Sequence, residues 1–185
     1  MFRCCFLLFF LTNILFSMEG FTTYNTKNNP KAKGLDLSIQ IPNNYVSKET
    51  YRPNVALKFL NPQNPSDIIM VIVRDVFEEF VLDESNILSY CDLVINNLNS
   101  NNMPSKLFKC ELTYIENLPA TNMIYVSTGK RLNKQLASIN NAYITYYKNY
   151  EISIMFASNN ENDFIKMQDT YFQIINSFVI NDIYK

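Results

Sequence analysis

Five carboxylates, Asp75, Glu78, Glu79, Asp83 and Glu84, fall within ten positions, and residues of that type at that density suggest two kinds of chemistry. Hard cations such as calcium take several oxygen ligands, which makes Asp75, Glu78, Glu79 and Asp83 the candidate metal ligands of this chain. The stretch lacks EF-hand spacing and contains no glycine for a sharp loop turn. Acids gathered ahead of a helix are also favoured by its dipole alone, so charge at a helix start is the default expectation and an ion site the sharper one. Two carboxylates can also divide acid and base work, as in glycosidases, when the fold sets their separation and pulls their pKa values apart.

Other catalytic residue types are scarce. Histidine is absent, which removes Ser-His and Cys-His nucleophile systems and histidine-rich metal sites. Serine and threonine have neither a G-x-S-x-G elbow nor an S-x-x-K, and three glycines in 185 residues leave no phosphate-cradling loop. No cofactor is expected. Lys130, Arg131 and Lys134 cluster after Gly129 at an expected hairpin tip, where they could receive an acidic partner or anionic head groups; the plainer reading is a solvated loop. Tyr143, Tyr146, Tyr147 and Tyr150 crowd the Lys148-Asn149 turn, either as a recognition surface or, by default, as cross-strand packing. Lys130, Arg131, Lys134 and Tyr147 are thus the candidate partner contacts. A net charge of -1 with 18% charged residues gives none of the basic footprint of a nucleic-acid binder.

Residues 1–20 (MFRCCFLLFFLTNILFSMEG) carry one cation, Arg3, and then an apolar run over 4–16 interrupted only by Thr12 and Asn13. This is a signal-peptide pattern, and the 13-residue run is short of the roughly 20 residues that span a bilayer. Export to a secreted or periplasmic location is expected, with an uncleaved membrane anchor as the alternative. Cys4 and Cys5 precede the run and so cannot be a lipoprotein's lipidated cysteine. Of the remaining cysteines, Cys91 falls on the apolar side of an expected helix and Cys110 on that of an expected strand. They are either a disulfide, which an oxidising compartment permits, or two buried thiols, the commoner state for cysteines so placed.

The elements that must position these groups follow from periodicity. Residues 21–33 are polar and aperiodic and read as a flexible leader, leaving 34–185 as a single domain. Leu35, Leu37, Ile39 and Ile41 alternate with polar residues up to Pro42, a strand signature. Residues 55–60 and 67–73 flank NPQNPS, a hairpin with an outsized turn, and the β-branched second run is placed centrally in the sheet. From Asp83 the period becomes helical, through Ile87, Cys91, Val94, Ile95 and Leu98, with Asp83 or Ser85 as the cap. Four further strands follow, near 108–114, 120–128, 134–147 and 150–157, and then a helix over 162–178 capped by Asn160 or Asn162. Most strands are joined by connections too short for a parallel crossover, so the sheet is expected to be mainly antiparallel, of about six to seven strands. Apolar residues on both faces of 150–157 imply helices over both faces. The fold class expected is α+β, an α/β/α sandwich.

The order of these elements, with GLDLSIQIPNNY (34–45), NLPATNMIYVS (117–127) and YYKNYEISIMFAS (146–158) leading to a helix that ends INSFVI, resembles the Mog1/PsbP-like family. The resemblance covers about residues 34–180. Its members serve as accessory subunits of photosynthetic complexes, as a small-GTPase partner, or in bacterial envelopes. It therefore implies a non-enzymatic binding or accessory module with a protein partner, and brings no catalytic motif to transfer. The other expectations are a membrane-anchored assembly factor and, last, a carboxylate- or metal-dependent enzyme.

Overall fold

A computed structural model describes residues 18–77, 80–131 and 134–185, and for Lys130, Arg131 and Lys134 it describes the backbone alone. The signal-like run before Met18, Glu78 and Glu79 of the acidic stretch, and the side chains of the basic cluster all lie outside the described residues.

Among the described residues ten strands form two antiparallel sheets. The larger has seven, in spatial order β3 (Val46–Ser47), β4 (Val55–Asn61), β5 (Asn64–Asp75), β9 (Tyr150–Ser158), β8 (Lys134–Tyr147), β7 (Leu118–Arg131) and β6 (Ser105–Ile115). Both β5 and β9 lie inside the sheet, as continuous β-branched runs should. The smaller sheet joins β1 (Phe21–Asn25), β2 (Leu37–Pro42) and β10 (Val179–Ile180). Three helices complete the fold: α1 (Ile87–Ser100), α2 (Glu161–Lys166) and α3 (Gln168–Asn176). An α+β fold with mainly antiparallel sheets is what short connections dictate. The β6–β7 link is two residues, Glu116 and Asn117, both at positive φ (51° and 64°), as a twist-matched hairpin turn requires.

Strand periodicity splits the core in two. Ile69, Val71 and Val73 of β5 and Ile152, Ile154 and Phe156 of β9 join Leu37, Ile39 and Ile41 of β2 and Phe164, Tyr171, Ile174 and Ile175 of α2 and α3. The second cluster takes residues of the other parity, Met123 and Tyr125 of β7 and Ala142 and Ile144 of β8, with Ile87, Tyr90, Cys91 and Ile95 of α1. Successive strand residues point to opposite faces, so one strand set serves both clusters.

Several expectations are corrected. The stretch 21–33 is not a flexible leader: β1 pairs along β2 from Phe21↔Pro42 to Asn25↔Ser38, and Ala32 is fully buried. Tyr24 sets its ring 4.6 Å from Phe59, and the buried Thr26 hydroxyl donates to Leu35 O (2.7 Å) and accepts from Leu37 N (2.9 Å). Two half-buried aromatics in a polar run sufficed to dock it. The strand around Leu35 to Ile41 accordingly sits in the small sheet and not the large one. The outsized 61–66 turn is tight, with Asn61 paired to Asn64, because Asn61 Oδ1 accepts from Gln63 N (3.0 Å) and closes it. The closing helix is two, breaking at Met167, and its cap is Asn160, whose Oδ1 accepts from Asn162 N (2.9 Å) and Asp163 N (3.3 Å). The two cysteines, expected by default as buried thiols, are joined: Cys91 and Cys110 form a disulfide with Cα atoms 6.3 Å apart. Cys91 follows α1 over the β6 side of the sheet, which puts the pair within bonding reach.

Candidate interaction surface

The acidic stretch disperses. Asp75, at the end of β5, forms an ion pair with Lys33 (2.5 Å). Neither Asp83 nor Ser85 caps α1, whose N-cap is Asn86 without a side-chain cap bond; Asp83 closes the turn ahead of it, its Oδ1 accepting from Ser85 Oγ (2.6 Å), Ser85 N (2.8 Å) and Asn86 N (3.1 Å). These bonds, the Ser85 hydroxyl first, hold its carboxyl below the ordinary carboxylate value. Glu84 is exposed beside it. Among the described residues no three His, Cys, Asp or Glu side chains gather in a way that could hold a metal ion. The basic cluster sits at the β7–β8 hairpin end, with Arg131 opposite Lys134 and Lys130 opposite Gln135 in register. Tyr143 turns inward against Phe156, Tyr150 donates to Lys33 O (3.3 Å), and Tyr147 carries the Lys148 ammonium over its ring at 4.9 Å.

An aromatic cluster lies where the chain leaves β5 for α1. Three rings meet there: Phe80 lies 5.6 Å from Tyr90 of α1 and 5.1 Å from Tyr146 of β8. Tyr146 Oη lies 3.2 Å from Glu151 Oε2 and 3.0 Å from Tyr90 Oη. A phenol has one proton, so Tyr146 donates to the carboxylate and accepts from Tyr90. Glu151 is further held by Arg74, with which it pairs, and by Ser153 Oγ (3.3 Å). Burial first, then the nearby Glu151 charge, pushes the Tyr90 phenol above its ordinary value; burial foremost does the same to Tyr146. Both phenols stay neutral at physiological pH, and the network acts as a clamp.

The clamp grips Phe80 and leaves its neighbours outside. Phe77 is fully exposed, Val81 is 62% exposed, and Leu82 turns back into the core at 2%. Beside them Phe80, Val81 and Leu82 with Leu118, Pro119, Tyr146, Tyr147 and Lys148 line a cleft of about 260 Å³. The lining is aromatic and aliphatic apart from one cation, Lys148. Of the tyrosines singled out in the sequence, Tyr146 and Tyr147 line this cleft. Phe77, Phe80 and Val81 were legible only as apolar residues without period inside an acidic run.

No protein-family model and no curated protein matches the chain. Solved structures do. The solution structure of the cyanobacterial PsbP protein CyanoP from Synechocystis sp. PCC 6803 is similar over 89% of this chain and 95% of that one, with a TM-score of 0.64 at 12% identity. A point mutant of Mog1 is similar over 86% and 96%, with a TM-score of 0.51 at 7% identity. The fold is that of the Mog1/PsbP-like group. Among the described residues no helix is long and apolar enough to cross a membrane.

Proposed function

We propose that this chain is a non-enzymatic binding or accessory module working outside the cytoplasm, and that it engages a protein partner through the surface around Phe77, Phe80 and Val81. The observation that carries this reading is the exposure of two large apolar side chains in the segment that leads to the aromatic cleft, Phe77 fully and Val81 by 62%, since exposed apolar surface of this kind marks interaction sites. The signal-like run over 1–20 supports the location, and the shared fold of two interaction proteins supports the class. In the same reading residues 34–185 with their docked N-terminal strand are one domain, and its layers form an α/β/α sandwich, α1 on one face of the large sheet and α2 with α3 on the other.

The test is cross-linking and recovery of the protein from its native host, wild type against Phe77→Asp and Val81→Asp. A protein recovered with the wild type and lost with both variants, at unchanged thermal stability, is the expected result. Equal recovery would remove this surface from consideration. Intact mass of the recovered chain checks the location: a loss of roughly 17 to 20 residues in a soluble extracytoplasmic fraction is expected, whereas a full-length mass in membranes would favour the anchored assembly factor.

A further inference from the structure

The two edges of the large sheet are unequal. β3 offers two residues, whereas β6 is 11 residues long and, among the described residues, is bonded on one side only, to β7. An unpaired edge of that length is a template for another strand. Phe108, which the register skips between Leu107 and Lys109, is a bulge and 62% exposed; Tyr114 is 63% exposed. Between them lie Lys109 and Glu111, on one face and half-exposed, 2.6 Å apart as an ion pair, with Glu111 also accepting from Asn122 Nδ2 (3.1 Å).

This order is self-complementary. A second copy of β6 laid antiparallel about a two-fold axis at Cys110 sets Lys109 opposite the other copy's Glu111 and Glu111 opposite its Lys109. Four alternating charges then form a closed square. The same register sets Phe108 opposite Leu112. The Phe108 bulge interrupts the strand at each end, confining the ladder to 108–112, and the two-residue β3 edge cannot extend it, so the pairing closes as a dimer and does not grow into a fibre. The disulfide fixes α1 beside the axis, and both helices lie on the same face of the joined sheet.

We propose that β6 is the contact between two copies of this chain, which form a dimer with one continuous 14-stranded sheet in the register Lys109 to Glu111. The alternatives, a foreign strand on this edge or an edge kept bare by its lysines and bulge, are outcomes of the test.

The experiment is sedimentation equilibrium of the protein as its host processes it, in wild-type form and as Lys109→Glu, Glu111→Lys and the double swap. The wild type is expected to dimerise. Each single reversal sets like charges opposite one another and should weaken the dimer by about tenfold or more, while the double swap restores it. Thermal melting and intact mass of the disulfide confirm that the variants fold. Hydrogen exchange supplies a second readout: amides of 108–112 should gain protection as wild-type concentration rises. A wild type that stays monomeric at high concentration overturns the proposal, as does a dimer indifferent to the single reversals or one that the double swap does not restore.

Discussion

Glu151 shows how one side chain organises a surface. Its two oxygens accept from Tyr146, Arg74 and Ser153, and Tyr146, so held, is one of the two rings against which Phe80 lies. The consequence appears at alkaline pH. Tyr45, Tyr90, Tyr146 and Tyr171 all have phenols raised above the ordinary value of 10.0, burial being the first cause in each. A folded-state pKa above that of the unfolded chain contributes stability that is complete below pH 10 and is lost as pH rises above it, because the unfolded phenols release protons that the folded ones keep. Urea midpoints should therefore fall steadily above pH 10, and of the 12 tyrosines these four, with Tyr125 and Tyr143, whose phenols burial also raises, should be the last to form tyrosinate. If all 12 titrate near 10.0 with the midpoint unchanged, the buried network described for Tyr90 and Tyr146 is wrong. Nothing in the sequence paired Tyr90 with Tyr146, since 56 residues separate them.

α1 is the element whose placement governs both surfaces. Its apolar stripe was readable from Ile87 to Leu98 because helical period survives without tertiary context, whereas its start was not: the N-cap is Asn86, and Asp83 closes the turn before it. The disulfide was not readable: whether two apolar-facing cysteines meet depends on the crossing of helix and sheet, which periodicity leaves open. Replacing both with alanine should destabilise the protein by about 3 kcal/mol, the loop-closure entropy expected for a separation of 19 residues. Denaturant unfolding of Cys91→Ala/Cys110→Ala against the wild type measures it, and a cost under about 0.5 kcal/mol would mean that α1 is held by its apolar face alone.

At the scale of the whole molecule the small sheet ties the chain ends to the middle. β2 receives β1 on one side and β10 on the other, and Asn181 Nδ2 donates to Asp36 Oδ1 (3.1 Å) and Ser38 Oγ (2.8 Å). A chain shortened to begin at Gly34 should therefore lose its cooperative transition, because Ile39, Ile41 and Phe59 lose the cover of β1 and of Tyr24. Burial of each such side chain stabilises by about 1.5–3 kcal/mol, a large share of a domain's net stability. A melt of the shortened chain matching that of the chain starting at Met18 would return 21–33 to the status of a leader.

The residue pattern by itself determined the seven long or well-periodic strands, α1, the antiparallel sense of the sheet and the resemblance to the Mog1/PsbP-like family. Each of these rests on local alternation, helical period or a short connection, which neighbours in sequence enforce. Tertiary structure alone decided the docking of 21–25, the division into two sheets, the break at Met167, the Cys91–Cys110 bond, the pairing of Asp75 with Lys33, and the ring cluster around Phe80. These depend on groups distant in sequence arriving at the same place, and that arrival is set by how the two faces of one sheet are covered, which no local period encodes.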